Sequence, residues 1–226
     1  MKSLLPTLFI SSILLSVAVK AKEASNIGSY NIGFGYSHVN GDNFDSNSFS
    51  VGSNLAFHPN FSTRLGFSYT NADVDPFTLN VFGTNVTYKE DANQISGGVS
   101  FIFHNRFQNS ESFAVDPFLQ LGLGVNNLEV DGIASSFFGS IPYSRSFTTV
   151  PAYLQLGSEF VINNFVIITP SLGVLGYLSD DNLNYDAFFL WSLSADFMLN
   201  EHFSLGFGIG GADGNFDFGF GSRYHF

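Results

Sequence analysis

The sequence predicts an all-β fold: a closed, antiparallel up-and-down transmembrane β-barrel of ten strands, with eight as the alternative. Three observations carry that expectation. Apolar residues recur with a period of two, aromatics and glycine are in excess, and short connections alternate with long ones. The end of the chain is the clearest case. Phe216, Phe218, Phe220, Tyr224 and Phe226 alternate with Asp217, Gly219, Gly221, Arg223 and His225. Period two sends the aromatics to one face of a strand and the small or charged residues to the other. One such face suits lipid and the other a polar barrel interior.

Followed from the amino terminus, the same alternation marks ten segments. The first, 29–39, sets Tyr30, Ile32, Phe34 and Tyr36 against Asn31, Gly33, Gly35 and Ser37. The second, 47–57, sends Phe49, Val51, Leu55 and Phe57 outward, and the third, 61–71, opposes Phe61, Leu65, Phe67 and Tyr69 to Arg64, Gly66, Ser68 and Thr70. The fourth (92–104) and fifth (113–126) follow, the latter with Leu119, Leu121, Leu123 and Val125 outward. Alternation is weakest in the sixth (148–162) and seventh (165–177), where Val166, Ile167 and Ile168 are consecutive; misreading this pair would leave eight strands. The eighth (187–199), ninth (202–210) and terminal strands complete the set, each close to the roughly 9–11 residues of a tilted membrane strand.

Short links fall at 58–60, 163–164 and 200–201, a moderate one at 105–112, and long loops at 72–91, 127–147 and 178–186. Short periplasmic turns and longer outer loops are the habit of membrane barrels. An even strand number returns Phe226 to the side on which the chain entered.

Composition agrees. Of 226 residues, 45% are hydrophobic, with 28 Phe, 9 Tyr and 23 Gly, yet no apolar run after Ala21 is long enough for a helical span. A closed barrel satisfies every backbone group between its strands, so alternating apolarity suffices to cross a bilayer. Met1-Lys2, the apolar stretch 4–19 and the cleavage positions Val19-Lys20-Ala21 predict a secretory signal peptide over 1–21, leaving 22–226 as one barrel domain. Loss of Lys2 and Lys20 with that segment leaves six basic residues against 19 acidic ones. No basic stripe exists to meet nucleic-acid phosphates. The chain has no Cys, which excludes a disulfide framework and a lipid anchor on a terminal Cys.

The terminal strand also resembles the carboxy-terminal signal of bacterial outer-membrane barrels, a final Phe preceded by same-face aromatics, here Phe226, Tyr224, Phe220 and Phe218. From the first strand to Phe226 the chain is similar to the small outer-membrane barrels that include the OmpA membrane domain and OmpX. The resemblance implies an integral protein of the Gram-negative outer membrane, monomeric, surrounded by lipid and lipopolysaccharide, and delivered by the barrel-assembly machinery. It implies no reaction.

Candidate chemistry is sparse. His202-Phe203-Ser204 resembles the His-x-Ser motif of lipid A deacylases, but Leu205 and Gly206 depart from that family's pattern and the turn position is wrong for the lipid A leaflet. Asp73-Val74-Asp75 resembles the paired aspartates of the omptin proteases, yet no Asp-x-His accompanies His38, so an attacking water would lack its base. The loop acids Asp42, Asp45, Asp73, Asp75, Glu90, Asp91, Asp180, Asp181 and Asp186 form no calcium-loop pattern. No catalytic residue, cofactor site or metal site is assigned. Arg64, Asp116, Glu159, Asp196 and Arg223 fall on interior positions near the periplasmic strand ends. Such charges must pair if buried, as a polar core closing the lumen or, alternatively, as a gate. Arg223 is expected to seek Asp196, and Arg64 to seek Asp116 in competition with Glu159. The expected role is structural or surface-interactive, carried by the outer loops, with no enzyme activity and an unknown surface ligand. A narrow channel for small solutes is the alternative, and a lipid-modifying enzyme a lesser one.

Overall fold

Alternating Phe, Leu, Val and Tyr favour a pleated backbone whose one face is covered and whose other face is packed. The computed structural model describes residues 27–41, 44–81, 83–110, 112–178, 187–212 and 215–226. The expected signal segment and its cleavage position lie outside them, as do Asp42, Asp180, Asp181 and Asp186. The described residues form strands β1 (Asn31–Gly41), β2 (Phe44–His58), β3 (Phe61–Val81), β4 (Thr84–His104), β5 (Phe107–Ser110), β6 (Phe113–Ser136), β7 (Gly139–Ile162), β8 (Val166–Leu178), β9 (Ala187–Asn200), β10 (Phe203–Ala212) and β11 (Asn215–His225).

Sequential strands pair antiparallel, β4 skips β5 to pair with β6, and β1 closes on β11 from Asn31↔His225 to Asn40↔Phe216. Ten strands therefore make a closed barrel, and β5 is a short addition against the start of β6. The eight-strand alternative is discarded. The weak pair is real, because Ile167 points inward into an apolar cluster while Val166 and Ile168 face out, which hides the alternation. Asn163 (φ 52°) and Asn164 (φ 51°) join β7 to β8 in the left-handed region that Asn tolerates and tight hairpins require.

The loops expected at 72–91 and 127–147 are not loops. β3 and β4 run on to Val81 and Thr84, and β6 and β7 to Ser136 and Gly139, so these strands have 21, 21, 24 and 24 residues. The cause is a change of phase. Within the barrel wall the apolar residues of β6 are the outward Leu121, Leu123 and Val125; beyond it they are the inward, buried Leu128 and Val130. Past Val125 the outward positions turn polar at Asn127, Glu129 and Asp131, with only Ile133 apolar beyond them among the described residues of β6, while the apolar Leu128 and Val130 face the barrel axis. Short turns and both described termini lie at one end and the long hairpins at the other. By the rule for outer-membrane barrels these are the periplasmic and outer ends.

Candidate functional site

The lumen is packed in layers. At the periplasmic end Ala114, Val161, Ile167 and Met198 form one buried apolar cluster, and Ile27, Ile102 and Phe118 another. Ile27 belongs to the segment that precedes β1 and is drawn inside, where Asn54 Nδ2 donates to the carbonyls of Ile27 (3.2 Å) and Ser29 (2.6 Å). At the outer end Val39, Phe44, Ala72, Ala92, Leu128 and Val130 pack together, beside a second cluster of Leu175, Leu190 and Ala212.

Between these caps lies a polar middle. Gln120 Nε2 donates to Ser100 Oγ (2.9 Å) and Tyr153 Oη (2.8 Å), and Ser171 bonds Ser192 across β8 and β9 at 2.6 Å. Tyr153 reaches inward over Gly122, where an added Cβ would sit 2.1 Å from its ring. A cavity of about 70 Å³ opens among Arg64, Ser68, Ser100, Asn126 and Tyr153.

The charged residues sit just below. Asp116, Glu159, Asp196 and Arg223 are buried inside the wall, and Arg64 lines the cavity. Arg223 Nη1 lies 3.0 Å from Asp196 Oδ1 across the intervening β10. Arg64 feels the charges of Glu159 and Asp196, and Arg223 those of Asp196, Arg64 and Glu159. Asp116 differs from expectation. Its carboxylate is held by His104 Nδ1 at 3.1 and 3.2 Å, with both side chains sealed from solvent. His104 shares the inward parity of Ser100 and Ile102, so its direction was legible in the sequence; its partner was not.

The outer wall is banded. Phe49, Tyr69 and Ile95 are register partners across β2, β3 and β4, and one outward position higher stand Asn47, Asn71 and Asn93. Tyr36 and Tyr69 donate hydroxyl protons to Asn47 and Asn93 at 2.6 and 2.7 Å, which anchors the rings at the lipid boundary. The next outward position carries acid on four consecutive strands: Asp45↔Asp73, Asp73↔Asp91 and Asp91↔Asp131 are direct partners, all exposed. At the periplasmic rim Tyr224 and Phe226 meet edge to face at 5.3 Å, and His202 stacks on Tyr224 at 5.8 Å. Phe218 and Phe220 continue that lipid-facing side of β11, about half exposed.

Above the acid row β3, β4, β6 and β7 continue as one sheet. On its axis-facing side Tyr143 donates to Glu90, Arg145 Nη2 lies 3.2 Å from Glu90 Oε1, and the guanidinium sits 4.8 Å above the Tyr143 ring. Partial burial and the Glu90 carboxylate push the Tyr143 hydroxyl up to about 12. Gly132 lets the ring lie across β6, since a Cβ there would meet it at 2.6 Å.

The motifs weighed for chemistry are not assembled into sites. His202 lies in the β9–β10 turn with Nδ1 3.1 Å from the His225 carbonyl, while Ser204 is buried with Oγ 3.4 Å from His225 Nε2. His38 faces Asn47 Oδ1 at 3.1 Å and the Phe218 ring. Asp73 belongs to the acid row. Among the described residues no three His, Asp or Glu side chains converge as metal ligands.

A closed antiparallel barrel with an apolar outer wall and polar boundary bands defines an integral outer-membrane β-barrel protein. No protein family matches the sequence, and no curated protein does. Solved structures similar to it include the outer membrane protease OmpT of Escherichia coli (TM-score 0.47, 9% identity, covering 88% of this chain and 94% of that one). The translocator domain of the autotransporter NalP from Neisseria meningitidis aligns with TM-score 0.44 and 10% identity over 87% of each chain. The attachment invasion locus protein Ail of Yersinia pestis aligns with TM-score 0.34 and 15% identity over 88% of this chain and 97% of its own.

Proposed function

We propose that this is a non-catalytic surface protein whose barrel is an anchor and whose outer sheet is the working part. The observation that supports this most is the lumen, capped by buried apolar clusters at both ends with paired charges between them. Small barrels are filled by their own side chains. On this reading the charged layer holds the wall together rather than passing ions. Lipid and lipopolysaccharide surround the wall, and the strand ending in Phe218, Phe220, Tyr224 and Phe226 is what the barrel-assembly machinery recognises.

Single-channel recording in planar bilayers tests the reading. The purified barrel is expected to give no stepwise conductance under conditions in which an open porin conducts. Sustained, uniform steps would replace it with the narrow-channel alternative.

A further inference from the structure

The two hairpins that rise past the acid row lose all charge where they reach furthest. From 76 to 88 and from 132 to 144 the chain has no Asp, Glu, Lys, Arg or His, in a protein with 19 acidic residues. Charge resumes at the base of each hairpin, with Asp73, Asp75, Lys89, Glu90 and Asp91 on one and Glu129, Asp131 and Arg145 on the other. The β6–β7 tip is also the most exposed apolar feature among the described residues: Phe137 is 95% exposed, Phe138 84% and Ile141 70%. The two Phe rings meet edge to face at 5.7 Å, beside a turn that Gly139 makes at φ 133°. β4 and β6 pair as far as Thr87↔Ser135, so both hairpins belong to one sheet and the tips share one edge.

Exposed turns are ordinarily polar, with Gly, Asn, Asp and Ser at the bend. A charge-free edge ending in paired, exposed aromatics has the composition that a headgroup–acyl boundary accepts. We propose that this edge docks on a lipid surface, inserting Phe137, Phe138 and Ile141 into the interface of an apposed zwitterionic bilayer. The absence of charge over both tips removes the cost of carrying an ion to that depth. The acids below set a stop and repel anionic lipid, so neutral headgroups are preferred. The proposal deepens the reading of the outer sheet as the working part, and rests on its facing outward.

Flotation with phosphatidylcholine vesicles tests it, using the barrel reconstituted in nanodiscs. The parent protein is expected to float with the vesicles, and F137S/F138S to lower the bound fraction at least about tenfold, the loss of one well-buried apolar group or more. Anionic vesicles are expected to bind less well at low salt and to recover as salt is raised. F138W in a W191F background, which removes the chain's one Trp, is expected to shift its emission to the blue on vesicle addition and to be quenched by acyl-chain nitroxides. Unchanged flotation of F137S/F138S, an unshifted F138W, or nanodisc association without vesicles (a second copy as the true partner) would each overturn the proposal. Orientation is checked separately. The chain has no Cys, so S144C on intact cells reports through an impermeant maleimide, and failure to label would refute the outward-facing reading itself.

Discussion

Arg223 and Asp196 form an ion pair of 3.0 Å across β10, with both side chains sealed inside the barrel. An ion pair in such surroundings contributes little net stability, because desolvation offsets most of the attraction; breaking one side is what costs. Arg223→Ala is therefore expected to destabilise the barrel by about 3–5 kcal/mol, and the double replacement of Arg223 and Asp196 by Leu to cost much less. Urea midpoints of the refolded barrel in lipid measure both. Equal losses in the single and double variants would show that the stranded Asp196 carboxylate is not the source of the cost.

The aspartate row makes a prediction of the opposite sign. Asp91 stands directly between Asp73 and Asp131 in the strand register, and like charges so placed repel. Asp91→Asn is expected to stabilise the barrel by about 0.2–1 kcal/mol at low ionic strength. These carboxylates are exposed, so the gain is expected to shrink as salt rises and the Debye length falls. A stabilisation that persisted unchanged in high salt would point to packing instead of charge.

These two relationships differ in how much of them the sequence discloses. Parity assigns direction: Asp196 and Arg223 alternate with lipid-facing Phe197 and Tyr224, so their inward placement follows from a period of two. Partners depend on how far each strand is staggered against the next, which parity leaves open. Hence Asp116 is read as a partner for Arg64, whereas the stagger of β4 against β6 brings it to His104. The row Asp45–Asp73–Asp91–Asp131 is invisible for the same reason, since it exists only in the register. The outer hairpins are hidden by something else. Alternation continues through Leu128 and Val130 but on the opposite face from Leu123 and Val125, and a reading that follows the lipid-facing face ends the strand at that change. Ile167 hides β8 by the same mechanism in reverse, an inward apolar residue between two outward ones.

The carboxy-terminal residue has a defined place. Phe226 is 76% exposed on the periplasmic rim, packs on Tyr224, and its amide donates to the Tyr30 carbonyl at 3.3 Å. Little of its surface is buried, so the folded barrel loses little when it is removed. Deletion of Phe226 is expected to reduce the amount of barrel assembled in cells at ordinary expression, while leaving the unfolding midpoint of purified, refolded protein nearly unchanged. Heat-dependent gel mobility of membrane fractions reads the first quantity. Undiminished assembly would show that the terminal Phe is not part of the recognised segment.

Two glycines facing each other across β3 and β4 give the sharpest test of how tightly the wall is built. Gly66 and Gly98 are register partners, and both point inward. A Cβ on Gly66 would meet nothing within 4 Å, because it opens on the mid-lumen cavity. A Cβ on Gly98 would fall 2.9 Å from the Leu123 carbonyl oxygen, a backbone atom of β6 that cannot swing aside without disturbing the strand pairing. Glycine within a strand costs about 0.5–1 kcal/mol relative to alanine through its freedom in the unfolded chain, so Gly66→Ala is expected to be neutral or stabilising by up to that amount. Gly98→Ala incurs the steric conflict as well, and is expected to lose about 1–3 kcal/mol, the usual cost of forcing an extra group into packed structure. The two substitutions add the same methyl group, so any difference between their urea midpoints comes from the space each finds. Equal responses would mean that β4 and β6 yield freely at Gly98, and that the close approach there is not a constraint on the barrel.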